Sequence, residues 1–313
     1  MSRYLFQKLL SLLPVLLGIS LAAFVLGVIS PGNPAELALA QGGYEPTPEQ
    51  IEAMERQMGL DAPYPVQYLR WVGRALSGDL GTSYHSRRPV AEELTRRLPV
   101  TLKLAGFSML ITCVTGIGLG CVAAAYQDRW PDRLVGAYIN ISLSFPAFWL
   151  ALLLILLFAE TLRWLPTSGN GGLRYLLLPG LVLSSASAAM AARLTRSALL
   201  AGFGKQYFTA AQARGIGRWW LVVRNALPNA IVPAVALLGN SLGGMLGGSV
   251  VIESIFALPG IGSYALDAIT NRDYPALQGY VLLAGCAYVA VTLLVDIVSM
   301  LLNPRVRLGG KRL

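Results

Sequence analysis

The chain has 313 residues, of which 55% are hydrophobic types and 13% are charged, and its mean hydropathy is +0.57. An ordinary soluble domain is about a quarter charged, so a disordered chain, a nucleic-acid reader and a typical soluble enzyme are excluded. The formal charge of +9 is therefore tested first as a topology signal rather than as a polyanion-binding surface.

A bilayer-crossing helix needs about 20 mostly apolar residues. In chain order, six runs qualify: 9–29, 104–126, 134–158, 175–192, 230–252 and 276–302. The fourth is short and carries Pro179, and the sixth carries one acid, Asp296. These runs lack the alternation of a membrane β-barrel, so the expected fold class is an all-α membrane protein of six transmembrane helices. Arg3 and Lys8 before the first run resemble a signal-peptide start. The run is long enough to span, however, and Ala38-Leu39-Ala40 lies well beyond it, so it is read as a retained span.

Orientation follows from Lys and Arg. Fourteen of the 25 basic residues fall at the start, around 128–133, in 193–229 and in the tail, accompanied by the acids Asp128 and Asp132. The other side holds eleven basic residues and thirteen acids. Both termini are expected in the cytoplasm, and nucleic acid is not needed as a partner. The organisation expected is a first helix with a long external region (1–103), a five-helix core (104–303) containing a basic cytoplasmic segment (193–229), and a basic cytoplasmic tail (304–313).

No catalytic constellation is visible. Gly309-Gly310-Lys311-Arg312 lacks the spacing and the hydroxyl of a phosphate-binding loop. The three cysteines (Cys113, Cys121, Cys286) sit in apolar runs without metal or disulfide spacing and read as small buried hydrophobes. With one histidine, His85, a His-rich metal site is impossible, and no metal ligands are assigned. His85 itself reads as a solvated loop residue. Asp296, near the end of the last run, reads as an interfacial acid paired with Arg305 or Arg307, which disfavours an ion-coupled mechanism. The chain is thus not an enzyme, and uphill transport would draw its energy from a partner.

The cytoplasmic segment is more informative. Residues 207–215 read as one short helix: Ala210, Ala211 and Ala213 keep its middle small, Arg214 suits its C-terminal dipole, and Gly215 suits a left-handed helix stop. Trp219, Trp220, Val223 and Leu227 then form an apolar stripe beside Arg218 and Arg224, as in an interfacial helix leading into the fifth span. That span has Gly239, Gly243 and Gly247 at four-residue intervals, a bare face that permits close helix approach and suits a pore-lining helix.

The segment Ala210-Ala211-Gln212-Ala213-Arg214-Gly215, followed after nine residues by Asn225-Ala226-Leu227-Pro228, resembles the EAA loop of binding-protein-dependent ABC importer permeases. Ala210, Gln212 and Asn225 depart from that pattern. Pro31-Gly32-Asn33-Pro34, Gly59-Leu60-Asp61, Gly78-Asp79-Leu80-Gly81-Thr82-Ser83, Leu98-Pro99-Val100-Thr101-Leu102, the run 253–262 and Asn271-Arg272-Asp273-Tyr274-Pro275 resemble the dipeptide, oligopeptide and nickel permeases, specifically their B-type subunit. The resemblance implies a type I importer permease fold in a bacterial inner membrane. It implies as partners a second, C-type permease, two ATPase subunits that bind the ATP and Mg, a periplasmic or lipid-anchored substrate-binding protein, and membrane lipid. It assigns ATPase coupling to Ala210, Ala211, Gln212, Arg214 and Gly215, pore or packing roles to Gly239, Gly243 and Gly247, and an external gate or docking role to Asp267, Arg272 and Asp273. The alternative is a secondary transporter or channel working without ATPases. For substrate, Trp164-Leu165-Pro166 and Gly169-Asn170-Gly171-Gly172 lean toward nickel over peptides.

Overall fold

The computed structural model describes residues 2–29, 32–40, 46–169, 171–203 and 205–302. Pro31, Asn170, the side chain of Asp296 and the basic tail lie outside the described residues. The chain forms two compact units, Met1–Val100 with Pro259–Val289, and Thr101–Leu258 with Ala290–Leu313.

In the first unit, α1 (Ser2–Ile29) is followed by three short helices: α2 (Pro34–Ala40), α3 (Pro48–Met58) and α4 (Tyr64–Leu76). Thr47 opens α3 with a reciprocal capping box to Gln50, and Gly59 closes it in the left-handed conformation. Ring contacts join α4 to α1: Phe24 meets Tyr68 at 5.5 Å and Trp71 at 6.2 Å, and Ser20 shares a 2.7 Å hydrogen bond with the Tyr68 hydroxyl. The long region after the first span is thus largely helical and folded, built on short capped elements that polar sequence alone left as an external stretch.

The rest of this unit is a core formed by Val90 and Leu94 at the start of α5 (Val90–Ile111), by Ile261, Tyr264 and Ala268 of α13 (Ile261–Thr270), and by Ala276 at the start of α14 (Tyr274–Leu302). Two buried acids organise it. Glu93 is held by Arg96 at 2.9 Å, Arg97 at 3.1 Å and Arg88 at 3.3 Å. Asp273, 2% exposed, accepts the Ser83 hydroxyl proton and the backbone N–H groups of Tyr84 (3.1 Å) and His85 (3.2 Å). It also caps α14 by accepting the Ala276 N–H at 3.3 Å.

The described part of the second unit is mostly helical. The helix α5 runs through a π turn, Thr112–Gly116, into α6 (Ile117–Ala125). Next come α7 (Trp130–Ser144), α8 (Ala147–Leu154), α9 (Leu173–Phe203), α10 (Gln206–Ala213), α11 (Arg218–Trp220) and α12 (Leu227–Ile255). The third run is not one straight span: α7 and α8 meet at 108°. Pro146 has no N–H to donate and pushes Phe145 into an extended conformation (φ −90°, ψ 133°), which ends α7. The fourth run is longer than its apolar stretch. The helix α9 carries Pro179 within its first two turns and continues through Arg193 and Arg196 to Phe203, so the basic segment begins inside a helix.

Among the described residues, four helices are long and apolar enough to cross a membrane, or five if the bent α7–α8 pair is one span. The 29-residue α12 has the length of a further span. Their outward faces are apolar, with Leu10, Leu13, Leu17 and Leu21 on α1 and Leu152 on α8 exposed, as lipid contact requires. Of the cysteines, Cys121 is buried, Cys113 partly so, and Cys286 is exposed on α14, which departs from the uniform burial expected.

Removing the Asp273 carboxylate leaves four donors of the first unit short of an acceptor. Asp273→Ala is expected to cost about 3 kcal/mol and Asp273→Asn less, measured as loss of thermal stability of the purified protein. Burial, then the charge of Asp273, pushes both Tyr84 and Tyr264 from 10.0 up to about 12. The folded chain therefore favours the protonated phenols. Stability from this source is complete below pH 10 and is lost as pH rises toward about 12. Tyrosinate absorbance should show two late-titrating phenols, and the variant lacking both, Tyr84→Phe with Tyr264→Phe, should lose that late step.

Candidate functional site

The short surface helix α10 sits on a core built from its own chain. Phe208 and Ala211 pack against Cys121, Ala124 and Ala125 of α6, against Leu199 of α9, and against Leu221, Val222 and Ala226. Phe208 also stacks on Phe203 at 4.4 Å between centroids. The helix ends as its residues dictate: the Gly215 N–H donates to the Gln212 carbonyl at 2.9 Å, and Gly215 itself has φ +77°. A side chain there meets open space, so strain alone selects glycine.

This seating divides the residues assigned to ATPase coupling. Ala210, Gln212, Arg214 and Gly215 are exposed, as is the intervening Ala213. Ala211 is 6% exposed and packs in the chain's own core against α6 and α9, so it seats α10 rather than forming part of its exposed surface. The helix presents its small residues outward through Ala210 and Ala213.

Beyond α10, residues 218–226 form one turn of α-helix and a π segment, Leu221–Ala226, that enters α12 directly. The buried side of this segment is Leu221 and Val222, whereas Trp219 and Trp220 are exposed. Trp219 and Trp220 thus lie on the outer surface of the chain, opposite the buried Leu221 and Val222. Arg218 lies 5.9 Å over the Phe203 ring, tying this segment to the end of α9.

The glycine row of α12 also divides. A Cβ at Gly239 would lie 2.2 Å from Val295 of α14, so this glycine is required for close helix packing within the chain. Gly243 is buried. Gly247 is exposed, and a Cβ there would meet nothing. At the end of α12, Glu253 is fully buried and accepts the Thr101 hydroxyl at 2.7 Å.

Of the three residues assigned to an external gate or docking, Asp267 and Arg272 are exposed. Asp273 is not: its carboxylate is enclosed by the turn at 83–85 and the start of α14, so a docking role for it is corrected to a structural one. A cavity of about 370 Å³ opens in this unit, lined among others by His85, Arg97, Tyr264, Asp267 and Asn271. His85 is exposed at its edge, as expected of a loop histidine. Among the described residues, no three His, Cys, Asp or Glu side chains come together as a metal site.

Residues 116–308 match the family described as "Binding-protein-dependent transport system inner membrane component", and residues 1–105 match the N-terminal region described for the same kind of membrane component. The chain is 38% identical over 307 residues to the glutathione transport system permease protein GsiC of Salmonella paratyphi A, covering 98% of this chain and 99% of that one. The figures for GsiC of Escherichia coli K12 are the same. In fold it is similar to a chain of the MetNI methionine ABC transporter in an inward-facing conformation, with a TM-score of 0.57 at 20% identity, covering 67% of this chain and 96% of that one. The organised helical core, the seated surface helix and whole-length similarity converge: the chain belongs to the binding-protein-dependent transport system inner membrane components, and it is a permease subunit of an ABC importer rather than an enzyme.

Proposed function

We propose that this permease spans a bacterial inner membrane six times with both termini in the cytoplasm. It forms half of a translocation pathway with a C-type permease and couples to two ATPase subunits, which bind the ATP and Mg, while a substrate-binding protein delivers cargo to the external face. The observation that carries the coupling is the helix α10: small on its exposed side, locked to the cores of α6 and α9 on its buried side, and closed by Gly215. A force on that helix is delivered to the membrane helices because the contact beneath it is close-packed. Transport then follows as alternating access between two states.

The substrate we propose is a small peptide. Whole-length identity of 38% to permeases named for glutathione, a tripeptide, favours the peptide side of the peptide, nickel and metal-chelate range over nickel. Uptake of labelled glutathione and of nickel in cells carrying the intact system decides between them. Nickel uptake without peptide uptake would reverse the assignment.

Two sets of variants test the coupling and the topology. Gly215→Val places a β-branched residue at φ +77° and is expected to cost about 1–2 kcal/mol locally and to abolish transport in a protein that still inserts. Ala210→Trp, on the exposed side, is expected to leave the fold intact and release the ATPase from purified complexes. Ala211→Glu buries a charge in the chain's own core and is expected to lower stability as well as transport. Retained uptake with assembled complex in both Gly215→Val and Ala210→Trp ends the coupling role. In a cysteine-free background, single cysteines replacing Glu49 or Trp164 should label from outside intact cells, and one replacing Arg214 should not. External labelling at 214 would invert the topology.

A further inference from the structure

The second unit contains a cavity of about 550 Å³ between α7 and α9 that the permease reading leaves unused. One wall is a single face of α7, Arg133, Gly136 and Asn140, spaced by three and four residues. The other is Arg193 and Ser197 of α9, with Arg196 beside them. Arg196 is committed: it holds Asp132 by two parallel bonds of 2.7 Å, and Asp132 also accepts the Asp128 N–H at 2.9 Å. The guanidinium groups of Arg133 and Arg193 are exposed and, among the described residues, have neither an ion-pair nor a hydrogen-bond partner.

The mouth of this cavity has a second chemistry. On the adjoining strip of α7, Trp130 is 72% exposed, and Leu134 and Ile141 are exposed as well. An indole at the start of the helix, two unpaired guanidiniums next to it and apolar side chains running on along the same helix form a sequence from headgroup level into hydrocarbon. The space over Gly136 is open: a Cβ there would meet nothing within 4 Å. A guanidinium binds phosphate through paired, charge-assisted hydrogen bonds, and Asn140 and Ser197 add neutral donors.

We propose that this groove is a binding site for an anionic glycerophospholipid, its phosphate diester on Arg133 and Arg193 and an acyl chain along Leu134 and Ile141. The proposal rests on the chain's membrane placement and not on the coupling or the substrate proposed above. A soluble phosphate offers the same anion without the acyl chain, so the exposed apolar strip favours the lipid. Asp128, in the cavity lining at φ +62°, accepts no side-chain hydrogen bond among the described residues, and its negative charge opposes the anion.

The test is lipid retention. The transporter is purified through a tag on this chain after equilibration in vesicles of equal parts phosphatidylcholine and phosphatidylglycerol, and lipids held per complex are counted by native mass spectrometry. Phosphatidylglycerol should be retained over phosphatidylcholine. Arg133→Gln with Arg193→Gln should lower its retention about tenfold, and Gly136→Leu should lower it by filling the groove without altering charge. Asp128→Asn keeps the shape and tolerates φ > 0, so it should raise retention, an outcome that misfolding does not mimic. Excess inorganic phosphate should not displace the lipid. Unchanged retention in the double arginine variant, no gain in Asp128→Asn, or full displacement by inorganic phosphate would each overturn the lipid site.

Discussion

The contact on which the rest of the second unit depends is that between α6 and α9. A Cβ at Gly116 would lie 2.6 Å from the Ala191 methyl, and one at Gly120 would lie 2.6 Å from Thr195 and 2.8 Å from the Ala192 carbonyl. No side chain fits between these backbones. In lipid, where apolar surface gains little by leaving its solvent, such close van der Waals packing is the main source of helix association. Ala123, Ala189 and Ala192, all buried, continue the same small-residue seam toward α7 through Val135 and Ile139.

From this seam the functional surfaces follow. One turn beyond Gly120, Cys121, Ala124 and Ala125 join Leu199 to make the floor on which Phe208 and Ala211 rest. The helix α10 is therefore an extension of the α6–α9 contact. On the other side of α9, Arg196 reaches Asp132 and fixes the start of α7, which leaves Arg133 and Arg193 facing a groove rather than each other's acids. Both surfaces inherit their positions from one pair of glycines.

The first unit is built on a different principle. Between its long helices it carries short ones, α2, α3, α4 and α13, and two buried carboxylates supply the specificity. Glu93 gathers three arginines and Asp273 gathers a hydroxyl and three backbone N–H groups. Each carboxylate is fully engaged, as a charge removed from water must be. The segment after α12 is thereby a folded cap bonded to the turn at 83–85, which leaves Asp267 and Arg272 as its exposed charges.

The sequence by itself determined the class of structure, because backbone groups in hydrocarbon must bond within their own helix and a run of about 20 apolar residues has no other stable state. It also determined the stop of α10, since a left-handed residue after a helix selects glycine wherever it occurs, and it carried the family through motifs along the whole length. What it could not determine is which way each residue faces once helices meet. Ala211 and Ala210 are adjacent and alike, yet one is core and the other surface because Leu199 and Ala124 happen to lie beneath the first. Asp273 and Arg272 read equally as surface charges until the turn at 83–85, far away in sequence, brings its donors to one of them. The run 134–158 reads as one span in sequence, and the 108° bend at Pro146 appears only in the structure. Burial of a polar group is decided by distant partners, and local sequence holds no record of them until the chain has packed.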